Sequence, residues 1–142
     1  MGMDPISFAE ALLAVLAQRL ARRLCENCKK TYSPSKKEYD EIVKLYGAQL
    51  FSEDNINKYT DKCKLAKRVG CIKCDDIGYH GRIAIIELLL NSEEIKLGIK
   101  EQLSVEELRK IAIRDGMRTL RMDGVHKIFE GYTDPKEIIR VC

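Results

Sequence analysis

Apolar and polar positions along the chain change period several times, and each change marks an element. Residues 5–24, PISFAEALLAVLAQRLARRL, open behind Asp4 and Pro5, a pairing suited to a helix start. Phe8, Leu12, Leu13, Val15, Leu16 and Leu20 then cover most of a helical cylinder. A helix apolar on nearly every side belongs between two layers, which 142 residues hardly supply, so the stretch points either to a larger body or to an ordinary core helix. From Gln18 the string QRLARRL carries a weak period of two, the mark of a strand. Strand character returns at residues 81–90, GRIAIIELLL, where Ile83, Ile85, Ile86, Leu88 and Leu89 predict a mostly buried strand. Paired antiparallel, these two strands bring Leu24, the end of the first, to Arg82, the start of the second.

Between them lies an insert, residues 29–70. Ser35 with Glu38 forms a capping box, Tyr39, Ile42, Val43 and Tyr46 form an apolar stripe, and Gly47 is a helix stop. Residues 48–62 show no sustained period and read as loop or a short second helix; residues 64–69 read as a short strand. After Asn91 come short helices with marked ends. Asn91 with Glu94, Ser104 with Glu107 and Asp134 with Glu137 have capping-box spacing, and Gly98, Gly116 and Gly131 fall at C-terminal stop positions. The predicted class is α+β and helix-rich: a short antiparallel strand pair with an insertion, then a small C-terminal helical subdomain.

The cysteines give the insertion a purpose. Four of the six sit in two Cys-x-x-Cys pairs, Cys25/Cys28 and Cys71/Cys74, with 42 residues between Cys28 and Cys71. A two-residue gap lets both thiolates of a pair turn to one corner of a tetrahedron, and two corners complete a Zn²⁺ site. Strand pairing places both corners at one end of the ladder, so the insertion becomes a zinc knuckle closed at its base. Four thiolates leave no open coordination position, which makes the zinc structural. Cys63 and Cys142 are read as incidental, and His80 and His126 as surface or polar-core residues.

Composition narrows the classes that remain. A hydrophobic fraction of 45% and a charged fraction of 33% describe a globular chain, and no apolar run reaches the length of about 18 residues that a membrane span needs. The N-terminus lacks the basic and small-residue regions of a signal peptide, so the cysteines are expected reduced and metal is favoured over disulfides. Net charge is +3, but residues 19–37 carry +6 and residues 58–73 carry +5, and both stretches abut a cysteine pair. That basic surface invites a nucleic-acid reading, a free-standing zinc-ribbon adaptor. Aromatics for base stacking are few and not interleaved with the charges, so nucleic acid is not the expected partner. The phosphate-loop pattern G-x-x-x-x-G-K-[ST] is missing, and no nucleophile or acid–base pair stands out. Neither catalytic nor cofactor-binding residues are expected beyond the four metal ligands.

Three strings, MGMDPISFAEALLAVLAQRLARRLCENCKK, VGCIKCDDIGYHGRIAIIELL and DGMRTLRMDGVHKIFEGYTDPKEIIRV, in that order, resemble the C-terminal region of the bacterial type II secretion and type IV pilus assembly ATPases. The resemblance covers nearly the whole chain except residues 36–62. It implies that residues 1–24 are the tail of a RecA-like ATPase core and residues 25–80 a tetracysteine zinc-binding subdomain. Residues 81–90 would be a strand returning to the core sheet, and residues 91–142 the C-terminal helical subdomain. It further implies a cytoplasmic hexamer, peripheral at the inner membrane, with ATP and Mg²⁺ bound only by the full-length protein. The implied partners are the upstream RecA-like domain, neighbouring subunits and an inner-membrane platform protein. Cys63 and the length of the insert depart from the commoner pattern.

Overall fold

Helix α1 (Pro5–Ala11) begins where expected, with the Asp4 carboxylate accepting from the backbone N–H groups of Ile6 and Ser7. The computed structural model describes residue 2 and residues 4–142. α1 ends far short of the apolar run that follows it. The Asn91 side-chain amide donates to the carbonyls of Ala9 (2.9 Å) and Leu12 (2.7 Å), and the Asn91 backbone N–H donates to Leu13 (3.1 Å). These bonds satisfy carbonyls that a helix end leaves bare. The chain therefore turns extended and enters β1 (Ala14–Leu24) ahead of the expected change at Gln18.

β1 pairs with β4 (Tyr79–Leu90). Asn91 bonds Leu13 at one end and the Cys25 N–H bonds the Gly78 carbonyl (3.0 Å) at the other, so the strands run antiparallel. The ladder closes at Gly78 and Tyr79, not at Arg82. Burial explains the extra length: the Tyr79 ring packs with Leu24 and Ala66, and its hydroxyl donates to Asp134 (2.5 Å).

Within the insertion, β2 (Lys30–Tyr32) was not anticipated; it pairs antiparallel with β3 (Leu65–Lys67) in the register Lys30↔Lys67, Thr31↔Ala66, Tyr32↔Leu65. α2 (Lys36–Tyr46) carries the Ser35/Glu38 capping box and stops at Gly47 (φ 102°), and α3 (Ala48–Glu53) follows at once. Past β4 come α4 (Glu93–Lys100), α5 (Val105–Arg114), α6 (Leu120–Phe129) and α7 (Pro135–Val141). The fold is thus α+β and helix-rich. Two expectations for α4 fail for packing reasons. Ser92 caps it because Asn91 is spent on α1, and Gly98 lies inside it, where a Cβ would meet Leu108 Cδ2 at 2.7 Å.

The chain divides into two units, Met1–Ala17 with Ile86–Thr119 and Gln18–Ile85 with Leu120–Cys142, so α4 and α5 belong to the first and α6 and α7 to the second. In the first, α1 packs on α4 and α4 on α5, burying Ala9, Ile95 and Ala112. In the second, α2 packs on α6. Tyr39, Tyr46, Phe51 and Phe129 meet with ring centroids 5.6–6.2 Å apart, mostly edge to face. Ile42, Val125, Ile128 and Ile138 are buried, and each such side chain contributes about 1.5–3 kcal/mol. The insertion draws on α6 for its core instead of building one alone.

Candidate metal centre

Two tight turns and one strand end assemble the cysteines. In the first pair, the N–H groups of Cys28 (3.2 Å) and Lys29 (2.9 Å) both donate to the Cys25 carbonyl, curling the chain so that the two sulfurs face one way. The second pair closes as a short 3₁₀ turn, Ile72–Cys74, followed by Asp75 and Asp76 in left-handed conformation (φ 49° and 58°). The bond from Cys25 to Gly78 then fixes the base of the first turn to the exit of the second.

All four predicted sulfurs come together. Their distances are 3.9 Å for Cys25–Cys71, 3.8 Å for Cys28–Cys74 and 3.7 Å for Cys71–Cys74, and all four lie within 4.8 Å of one another. Zinc–sulfur bonds of about 2.3 Å at tetrahedral angles imply sulfur–sulfur edges of about 3.8 Å. A disulfide would need about 2.05 Å, and all six cysteines are free. The donor set and its spacing fit a tetrahedral metal ion.

Donors aim at the sulfurs as they would at thiolates. The N–H of Gly70 points to Cys28 Sγ, and those of Cys71 and Gly78 point to Cys74 Sγ, each at 3.3 Å. The Asn27 side chain reaches Cys71 Sγ at 3.6 Å. Without a cation the cluster is electrostatically divided. Burial pushes the Cys28 thiol up to about 11. Burial also opposes ionisation of Cys71, yet hydrogen bonds from Asn27 and Cys74 and the Lys73 N–H outweigh it and bring Cys71 down to about 7. A divalent cation removes that conflict by holding all four sulfurs as thiolates and offsetting half of their charge.

Two glycines make the second turn possible, a signal present in the sequence as V-G-C and I-G-Y. At Gly70 (φ 134°) a Cβ would stand 2.8 Å from the Asp76 carbonyl oxygen, and at Gly78 (φ 81°) it would stand 2.7 Å from Arg68 Cβ. Gly78→Ala is expected to destabilise the fold by about 1–3 kcal/mol, read as a lower urea midpoint. An unchanged midpoint would show that the turn tolerates the clash. The remaining candidates are not among the clustered ligand atoms. Cys63 is buried, Cys142 ends α7, His80 is exposed, and His126 lies half-buried with its ring edge-on to Tyr46 at 5.6 Å. Among the described residues, these four cysteines form the one group of metal-ligating side chains.

Comparison with known proteins places this arrangement in context. The family described as "Type II/IV secretion system protein" matches residues 1–140. The chain is 40% identical to the type IV pilus assembly ATPase PilB of Thermus thermophilus, over 98% of this chain and 14% of that protein. It is 37% identical to the type IV pilus assembly ATPase PilB of Myxococcus xanthus, over 98% of this chain and 23% of that protein. It is 34% identical to the type II secretion system ATPase E of Vibrio cholerae, over 99% of this chain and 25% of that protein. The chain spans a quarter or less of the length of these relatives. Matched along nearly its whole length, and similar to both pilus and secretion ATPases, the chain belongs to the type II/IV secretion system protein family.

Proposed function

We propose that Cys25, Cys28, Cys71 and Cys74 hold one structural Zn²⁺. In this reading the chain is the non-catalytic C-terminal, zinc-binding and helical part of a hexameric ATPase powering type II secretion or type IV pilus assembly. The observation that carries it is the cluster of four sulfurs, all within 4.8 Å of one another and three pairs of them 3.7–3.9 Å apart, in a chain matched along residues 1–140 by the secretion family. Zinc held by four thiolates has no open position, so it cross-links two turns and performs no step. Residues 1–24 and 81–90 belong to the RecA-like core. Leu13 and Leu16 are 85% and 60% exposed, apolar surface that such a core would cover. Residues 25–80 form the metal module, and residues 91–142 the helical part, whose α6 and α7 pack with that module.

ATP and Mg²⁺ act only in the full-length protein, which is cytoplasmic and peripheral at the inner membrane. The module works as a surface, coupling hydrolysis to neighbouring subunits and to a platform protein in that membrane. Among the described residues no helix is long and apolar enough to cross a membrane. Elemental analysis of the purified chain is expected to give about one zinc per molecule, with no ATP turnover. ATP hydrolysis by this chain alone, at a motor-like rate, would sink the non-catalytic assignment.

A further inference from the structure

The second unit carries a groove of about 560 Å³ between α2, β3 and the start of α7. Its floor is apolar, built from Ile42, Leu45, Leu65, Ala66 and Pro135, and Ile139 stands 61% exposed at its edge. Four cations line the rim: Lys44, Lys67, Arg68 and Lys136. All four are exposed, and among the described residues none has a carboxylate partner in an ion pair. Lys67 also stands directly across the β2–β3 ladder from Lys30, a like-charge placement that destabilises a sheet until an anion relieves it.

Of the three carboxylates at the groove, two are already engaged. Glu38 accepts from the Ser35 N–H at 2.9 Å, and Asp134 accepts from the Tyr79 hydroxyl at 2.5 Å and the Glu137 N–H at 3.0 Å. Neutral donors leave all three carboxylates charged, so they offset three of the four cations. With Lys30 beside Lys67 across the ladder, the rim stays net positive around a dry floor. A phosphate backbone would satisfy the rim but leave the floor empty, and a flat bilayer does not enter a concavity of this size.

We propose that this groove docks a short acidic amphipathic segment of a partner protein. Apolar side chains spaced i, i+3, i+4, i+7 seat on the floor, and carboxylates between them meet Lys44, Lys67, Arg68 and Lys136. The inference deepens the reading of the metal module as an interaction surface and rests on it.

Two fluorescein-labelled peptides of about 12 residues test it, one with leucines at that helical spacing and glutamate elsewhere, the other with lysine replacing glutamate. Anisotropy titrations of the zinc-loaded chain are expected to give binding of the acidic peptide about tenfold or more tighter than the basic one. The triple variant Lys44→Glu, Lys67→Glu, Lys136→Glu alters only exposed residues outside the ion pairs, and Lys67 gives up only its place 5.4 Å over the Tyr32 ring, so zinc content and circular dichroism should not change. It is expected to weaken the acidic peptide by about tenfold or more and to improve the basic one. Ile139→Asp should weaken the acidic peptide without reversing the preference. Equal binding of both peptides, or acidic binding that survives the triple variant, overturns the proposal. So does a triple variant that loses affinity for phosphatidylglycerol vesicles or duplex DNA while its peptide binding is unchanged. Zinc-free chain that still prefers the acidic peptide supports the groove while removing the metal; zinc-loaded chain with no preference removes the groove alone.

Discussion

Cys71→Ser is expected to leave purification without zinc and with the base of the insertion unfolded. Cys71 sits at the centre of the tetrahedron's short edges, 3.9 Å from Cys25 and 3.7 Å from Cys74, and receives the Asn27 amide. A structural zinc contributes about 10–16 kcal/mol to small zinc-dependent folds, comparable with the whole stability of a domain. The turns around it have little else to hold them. Ile72 is 94% exposed, and the knuckle backbone spends three N–H groups on sulfur. Hydrogen exchange should show protection lost at the amides of Gly70, Cys71 and Gly78, with the melting temperature down by about 10 °C or more. Protection in α2 and α6 should persist longest, because the Tyr39, Tyr46, Phe51 and Phe129 rings pack without the metal. Wild-type chain that proves zinc-free, folded and titratable at four thiols would overturn the staple.

Glu137→Ala should cost about 3 kcal/mol, the second large effect, because it removes a buried carboxylate that ties the Arg22 backbone N–H to two half-exposed guanidinium groups. Glu137 is 1% exposed. Its carboxylate accepts from the Arg22 backbone N–H (2.8 Å), from Arg22 Nε (3.0 Å) and Nη2 (2.8 Å), and from both nitrogens of the Arg140 fork. Burial alone would raise its pKa, but the Arg140 and Arg22 hydrogen bonds outweigh that and hold it at about 2, against an ordinary 4.5. The folded state thus binds fewer protons than the unfolded one through this window. The contribution, about 3 kcal/mol, is fully present above pH 4.5 and is lost as pH falls toward 2. Glu137→Gln should be less stable than wild type near neutral pH and lose less on acidification. Urea midpoints of the two at matched pH cancel whatever the metal contributes. Parallel acid losses in both would remove Glu137 from the account.

Glu137 also illustrates where local reading of the chain stops. Asp134 and Glu137 have capping-box spacing, and Asp134 does accept the Glu137 N–H at 3.0 Å. The Glu137 side chain, however, turns to an arginine 115 positions earlier, which no local pattern predicts. Ser35/Glu38 and Ser104/Glu107 hold as full capping boxes because no distant partner competes for their glutamates. Asn91 followed the Glu137 course. It has cap spacing to Glu94, yet its amide goes to Ala9 and Leu12.

What the chain determined by itself was local or set by short spacing: the caps at Asp4, Ser35 and Ser104, the stop at Gly47, the presence but not the bounds of the two long strands, the basic flanks, and the two Cys-x-x-Cys corners. These follow from backbone sterics, side-chain reach and a two-residue gap, none of which needs a distant partner. Tertiary structure alone decided the rest. It ended α1 at Ala11 with the Asn91 amide, extended β4 back to Tyr79 by burying its ring, and gave the insertion its core on α6. It also left Lys44, Lys67, Arg68 and Lys136 around one apolar groove. The first three turn on a polar side chain or ring finding its partner far along the chain, and the groove on elements distant in sequence meeting, which only the folded chain supplies.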